Sequence, residues 1–133
     1  MLQLREQAEA ILGQLGAING IHTVGLLEGI DLEELRRPGV LPMAQLMLGV
    51  ETVQQGGRTV SARTAWTVLV TAKTVGGRVE LLGLVDDVLD ALRGFQPVLG
   101  MRALVPVKVE FVDRGSEAAA YALTFAAPQA ADL

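Results

Sequence analysis

The clearest alternation of apolar and polar positions in the chain runs from Ser61 to Lys73. Every second residue, including Trp66, Val68 and Val70, points to one side, whereas the positions between them are mainly polar. A period of two is typical of a strand with one buried face. The segment is therefore predicted to be a long strand whose tryptophan anchors the core.

Two segments repeat their apolar residues at helical spacing. The first spans Gln3 to Ala17 and is followed by Asn19-Gly20, a pair that ends a helix. The second runs from about Val79 to Arg93 and is followed by Gly94. Both segments are predicted to be amphipathic helices with one face packed on a sheet.

The remaining apolar runs are short, and turn residues separate them. They predict strands at Ile21–Leu27, Val40–Val50, Val105–Phe111 and Ala118–Ala126, a single helical turn at Asp31–Leu35, and a flexible connection at Gln54–Arg58. The order is helix, strand, strand, strand, helix, strand, strand. This order predicts an α+β fold, in which two helices pack on a mainly antiparallel sheet of about four to five strands. Residues 1–133 are expected to form a single domain, and residues 127–133 are expected to be frayed.

The apolar positions of these elements predict one core. Its expected members are Trp66, Val68, Val70, Val85, Leu89, Val107, Val109, Tyr121, Leu123 and Phe125.

The chain is unusually apolar for its length. Half of its 133 residues are hydrophobic, and the mean hydropathy is +0.40. The longest apolar stretch, Val40–Val50, is far shorter than the roughly 18 residues that a membrane span needs. The first residues lack the basic start and apolar core of a signal peptide. The excess apolarity is therefore expected in an oligomeric interface or, alternatively, in a core rich in Ala and Val.

Charge is distributed unevenly along the chain, whose formal net charge is −4. An acidic protein is a poor match for the phosphate backbone, so direct recognition of nucleic acid is not expected. The stretch from Thr52 to Val79 contains four bases and no acids, and Glu80 to Arg93 contains four acids and one base. One interpretation is ordinary scatter; the other is an interface between oppositely charged surfaces. The candidate interface residues are Arg58, Arg63, Lys73, Arg78, Asp86, Asp87 and Asp90.

Residues that could carry out chemistry are sparse. The chain has one histidine, His22, and no cysteine, which excludes disulfides and cysteine-ligated zinc. His22 has no nucleophile motif beside it, and the acids between Glu28 and Glu34 lack the spacing of a calcium loop. The sequence therefore predicts no catalytic residue, no metal site, no cofactor and no enzymatic activity. A small-ligand-binding or enzymatic domain is the alternative that a deep polar pocket would favour.

The order and texture of the elements resemble a known family. The resemblance spans Gln3 to Ala126, and two short phrases carry it most clearly, Ala65-Trp66-Thr67-Val68-Leu69-Val70 and Tyr121-Ala122-Leu123-Thr124-Phe125. Beside them stand the opening helix, a Leu41-Pro42-Met43-Ala44 strand and the helix from Leu81 to Leu92. In these features the chain is similar to the small tail-completion proteins of Mu-like contractile-tailed phages, which are related to tail terminators.

The resemblance implies a structural role in virion assembly. Members of this family form a homohexameric ring that caps the tail tube and offers a surface to the head-proximal connector. It implies as partners further copies of the chain, the tail tube protein and the head–tail connector protein, with no membrane. The implied location is the virion tail of a phage or prophage, assembled in the host cytoplasm. The other role considered is that of a connector or tube-like subunit. The chain is expected to depart from the family in one respect, because the Gln54–Arg58 connection is short and the chain lacks a strongly extended tip.

Overall fold

The computed structural model describes residues 3–27, 39, 41–55, 58–73, 78–113 and 118–127. Side chains are described for these residues except 50–64, 78–80 and 113. Its elements follow the expected order and confirm the α+β fold. They are α1 (Leu4–Gly16), β1 (Thr23–Leu26), β2 (Met43–Gln55), β3 (Arg58–Lys73), α2 (Arg78–Leu92), β4 (Val105–Asp113) and β5 (Ala118–Ala126).

The five strands form one sheet in the order β1-β2-β3-β5-β4. β1 runs parallel to β2, and every other pairing is antiparallel. The register places Trp66 beside Phe125, and Val68 beside both Leu46 and Leu123. Directly paired residues lie on the same face of a sheet, so these apolar side chains form continuous rows across the central strands.

Both helices cover the same face of the sheet. α1 packs against β1 and β2, and α2 packs against β3 and β5. The core between the layers includes Trp66, Val68, Val70, Val85, Leu123 and Phe125, all of them buried as predicted. Leu89 and Tyr121 are only partly buried and pack against this core.

Two glutamines fasten α1 to its neighbours. Gln7 is buried, and its Oε1 accepts a hydrogen bond of 2.9 Å from the indole Nε1 of Trp66. Gln14 donates from Nε2 to the carbonyl oxygen of Ala91 at 3.0 Å, which ties α1 to α2. The chain leaves α1 through Gly20, which has a φ of +94° and where an added Cβ would lie 3.4 Å from Leu84. Only glycine fits that turn without strain.

The prediction that Val107 and Val109 belong to the core is wrong. Both residues lie on β4 at the sheet edge and are 52% and 49% exposed. A register shift between Pro106 and Lys108 marks a bulge that interrupts the expected alternation. After the bulge, Val109 and Phe111 pair with Leu123 and Tyr121 on the helix-covered face. They stay exposed because the two helices pack against the other strands.

The prediction of a flexible connection without an extended tip is also wrong for Gln54, Gln55 and Arg58, which belong to strands. β2 and β3 continue pairing as far as Gln55 and Arg58, beyond the strands of the rest of the sheet. In the described part of the chain, residues 50–55 and 58–64 pair only with each other, and we call this projection the hairpin arm. At about 3.3 Å per residue, the arm extends roughly 20 Å past the sheet.

Three expectations concern segments outside the described residues in whole or in part. They are the helical turn at Asp31–Leu35, residues 56 and 57 of the flexible connection, and residues 128–133 of the tail expected to be frayed from Ala127. Ala127 itself is described and is buried against the core.

Candidate assembly surfaces

An apolar groove lies beside the outer strand of the sheet, between α2 and β4. It has a volume of about 350 Å³ and is lined by Leu81, Leu82, Phe111, Ala119 and Tyr121. We call it the edge groove. Leu82 and Phe111 are each about half exposed, at 48% and 51%. The rings of Phe111 and Tyr121 meet edge to face, with centroids 5.5 Å apart, and give the groove a defined wall.

The strand that borders the edge groove is poorly suited to extending the sheet. Pro106 removes a backbone donor, the bulge follows it, and Lys108 forms an ion pair of 3.1 Å with Glu110. Proline, bulges and lysine are the devices by which proteins protect an edge strand from pairing with another chain. A partner of this edge is therefore expected to contact side chains in the groove rather than add a strand to β4.

A second apolar groove lies at the opposite edge, where α1 crosses β1 and β2. Its volume is about 360 Å³, and its lining includes Leu4, Arg5, Leu26, Leu48 and Trp66. Leu26 and Leu48 are 46% and 38% exposed. Arg5 forms an ion pair with Glu9 at this surface, with Nε and Oε1 3.3 Å apart. The protein thus presents exposed apolar surface at both edges of its sheet.

The four bases that the sequence singled out do not form one patch. Arg58 and Lys73 are the first and last residues of the 16-residue strand β3, which places them about 50 Å apart. Arg63 lies within the hairpin arm, and Arg78 begins α2. Lys73 is exposed and follows Ala72, a core residue, so Lys73 lies on the face away from the helices. Any contact of these bases with acids must therefore involve at least two separate surfaces.

The acids of α2 are better grouped. Asp86, Asp87 and Asp90 are all exposed, on the side of α2 that faces away from the sheet. Asp86 lies one turn after Leu82 and therefore beside the edge groove. Their role in an interface with the bases stays a prediction.

Within the described part of the chain, little is suited to catalysis. No group of three or more His, Cys, Asp or Glu residues could hold a metal ion there, and His22 is exposed. Both grooves have linings dominated by apolar residues. No helix in this part of the chain has both the length and the apolar character needed to span a membrane.

Sequence reasoning missed the residues that form the edge groove. Leu82 lies next to the core stripe of α2 on an otherwise polar side of the helix, and Phe111 belongs to a strand whose apolar face looked like core. Only Leu82 gave a signal, as an apolar residue on a face that the helical period assigns to solvent. The charge pattern did select Glu80–Arg93, which contains Leu82, but it did so for the acids of that stretch.

Comparison with known proteins places the fold. No protein-family model matches the chain, and no curated protein matches it. Among solved structures, it is similar to a chain of the virion of the native gene transfer agent (GTA) particle. The two share 18% sequence identity with a TM-score of 0.62, and the match covers 91% of each chain. The chain therefore shares the fold of a protein found in a gene transfer agent virion.

Proposed function

We propose that the protein is a structural subunit of a phage or phage-derived particle that acts as a tail terminator. In this role, six copies form a ring that caps the end of the tail tube, stops its growth and offers a surface to the head-proximal connector. The observation that carries the proposal is the fold shared with a gene transfer agent virion protein over 91% of both chains. The resemblance to tail-completion proteins, seen in the sequence, points to the same role.

The two exposed edges support assembly into a ring. A subunit in a ring contacts one neighbour through one surface and the other neighbour through a different surface. The edge groove and the groove beside β1 lie at opposite edges of the sheet and are both apolar. A monomer gains nothing from exposing Leu26, Leu82 and Phe111 to water, whereas a ring can bury them.

The hairpin arm supports a contact beyond the ring. An element that projects roughly 20 Å from the sheet can reach an adjacent layer of subunits. In a terminator that layer is the last ring of the tail tube. The same arm favours a second candidate, a tube-like subunit whose rings stack on one another.

A structural role also accounts for the scarcity of reactive groups. The exposed features of the described residues are apolar grooves and scattered charges, which are suited to binding other proteins. An enzymatic role would need a convergent set of polar groups in a pocket.

Electron microscopy and native mass spectrometry of the purified protein test the proposal. A terminator is expected to form closed rings with the mass of six subunits and to stop there at any concentration. Added to growing tail tubes, it should bind one end and halt elongation. Open stacks of rings would favour the tube-like subunit, and a monomer that never binds tubes would contradict both candidates.

A further inference from the structure

A single leucine protrudes from the end of the molecule opposite the edge groove. Leu99 is 94% exposed, the largest exposure among the described large apolar residues. It lies at the tip of the loop from Phe95 to Leu104, which we call the Leu99 turn. A single exposed leucine is commonplace in itself, so a contact is indicated only by how the turn is built and by the surface that it complements.

The Leu99 turn is rigidly built. Its two ends are joined by backbone hydrogen bonds of 2.9 Å, from Gly94 to Leu104 and from Leu104 to Phe95. The amide of Met101 donates to the carbonyl oxygen of Val98, and Gly100 adopts a φ of +85° that closes the tip. Leu104 is fully buried and anchors the base of the loop. A preorganised loop loses little conformational entropy when it binds.

Leu99 cannot reach the edge groove of its own subunit. The Leu99 turn follows the C-terminal end of α2 and precedes β4, whereas the groove lies at the first turn of α2 and near the end of β4. Six residues of strand separate Val105 from Phe111, a distance of about 20 Å. The Leu99 turn and the edge groove therefore lie at opposite ends of the unit that α2 and β4 form.

The groove has the size and polarity to receive a leucine. An apolar cavity of about 150 Å³ accommodates a molecule as large as benzene, and the edge groove has about 350 Å³. Its walls are leucine, alanine and two aromatic rings. Since the bordering strand resists pairing, a side chain inserted from outside is the contact that fits this edge.

The charges beside the two surfaces are complementary. The Leu99 turn is flanked by exposed Arg93 and Arg102, and no acid lies between them. The edge groove has an exposed acid beside it, Asp86, one turn after Leu82 on α2. When the turn of one copy approaches the groove of another, opposite charges meet at the rim, which favours this pairing over turn against turn or groove against groove.

From this complementarity we infer that Leu99 of one subunit inserts into the edge groove of the next copy of the same chain. The contact is heterologous, because each subunit supplies the turn on one side and the groove on the other. Repetition of such a contact generates a closed ring or an open helical array. The inference rests on the proposed function only for the closure of the ring, since the pairwise contact forms in either case.

Two single variants and their mixture test the contact. Leu99→Asp removes the inserted side chain, and Leu82→Asp places a charge in the groove. Each variant alone is expected to associate about 30-fold more weakly than the wild type, the loss typical of a central interface residue. Mixed at equal concentration, they should form a one-to-one dimer and nothing larger, because only the intact groove of one and the intact turn of the other remain.

A matched control separates this contact from general loss of apolar surface. Val105→Asp changes an apolar residue of nearly the same exposure, 44% against 48% for Leu82, on the face of the sheet away from the helices and outside both groove linings. It should leave the association between the Leu99 turn and the groove intact, as measured by native mass spectrometry. If Val105→Asp abolishes pairwise association while Leu82→Asp and Leu99→Asp retain it, the inference is wrong.

Cross-linking gives a second readout that does not depend on affinity. The chain has no cysteine, so Leu99→Cys combined with Leu82→Cys introduces the only two thiols. Oxidation should link subunits into a ladder on a non-reducing gel, and the ladder should end at the number of subunits in the ring. The control pair Leu99→Cys and Asp90→Cys, whose second site points away from the groove, should give no ladder.

The outcomes distinguish the contact from the proposed function. If the wild type forms hexamers but the Leu99→Cys/Leu82→Cys variant gives no cross-linked species, the contact is wrong and the proposed ring is unaffected. A ladder without a fixed end would support the contact and contradict the terminator. A wild type that is monomeric at every concentration would overturn the contact itself.

Discussion

β4 and β5 are neighbouring strands of equal length and similar apolar pattern, yet they differ sharply in burial. Phe125 and Leu123 of β5 are fully buried, whereas Phe111 and Val109 of β4 are each about half exposed. Leu123 and Val109 are even paired directly in the register. The two strands differ in burial because α2 packs against β5 and β3 and leaves the helix side of β4 largely uncovered.

The widths of the elements explain why one strand is left open. A helix with its side chains is about 10 Å wide, and strands are spaced about 4.8 Å apart, so one helix covers about two strands. Two helices therefore cover four of the five strands. α1 takes β1 and β2, α2 takes β3 and β5, and β4 is the strand that remains. This geometry leaves its apolar face exposed.

The largest effect that separates the two regions is expected from a matched pair of phenylalanines. Phe125→Ala should lower the free energy of unfolding by about 3–5 kcal/mol, because it empties a fully buried site. Phe111→Ala should cost only about 0.5–1.5 kcal/mol, mainly its ring contact with Tyr121. Denaturant unfolding can be followed through Trp66, the single tryptophan of the chain.

The measurement should be made at the lowest protein concentration that gives a signal, so that association adds little to stability. Equal losses for the two phenylalanine variants would mean that β4 is covered within the subunit. That result would remove the edge groove as an interface.

A smaller effect is expected from the polar contact that holds α1 over the covered strands. Gln7→Met should destabilise the protein by about 1–3 kcal/mol, because the buried indole N–H of Trp66 loses its acceptor. Gln14→Met is the matched control. It removes a partly exposed bond to the carbonyl oxygen of Ala91, which water can replace, and should cost about 1 kcal/mol or less.

Trp66 fluorescence gives an independent check on the same variant. Loss of the hydrogen bond from Nε1 should shift the emission of Gln7→Met and leave that of Gln14→Met unchanged. If both variants cost the same and neither shifts the emission, the contact does not fasten α1 to the sheet.

The sequence was a good guide to this fold where burial imposes a period. Alternation in β3 and β5 identified Trp66, Val68 and Phe125 as core residues, and helical spacing located both helices to within a few residues. The same reasoning failed at Val107 and Val109. Alternation shows which face of a strand is apolar, but it does not show whether a helix of the same chain covers that face.

The candidate site was less accessible to sequence reasoning. The edge groove depends on where α2 settles relative to β4, and this is decided by packing between segments about thirty residues apart. The charge pattern did not indicate position, since Arg58 and Lys73 belong to one acid-free stretch but lie at opposite ends of β3. The polar residues Gln54 and Gln55 suggested a loop, yet backbone pairing with β3 keeps them in the arm.

The smallest effect is expected from the charges, which test whether polar surfaces contribute to assembly as the apolar edge does. Lys73→Glu should change the free energy of unfolding by less than about 0.5 kcal/mol, because the side chain is exposed. If Lys73 faces the acids of α2 on a neighbour, the reversal should weaken association by at most about fivefold, since exposed pairs contribute ~0–1 kcal/mol. The loss should shrink as salt is raised, because the Debye length falls to about 3 Å at 1 M.

Arg63→Glu tests the hairpin arm separately. Asp87→Lys should partly restore association in whichever of the two reversal variants has its new glutamate opposite Asp87 on the neighbour. Sedimentation of the wild type and these variants across salt concentrations decides the matter: reversals without effect at low salt would leave the apolar contacts alone to hold the assembly.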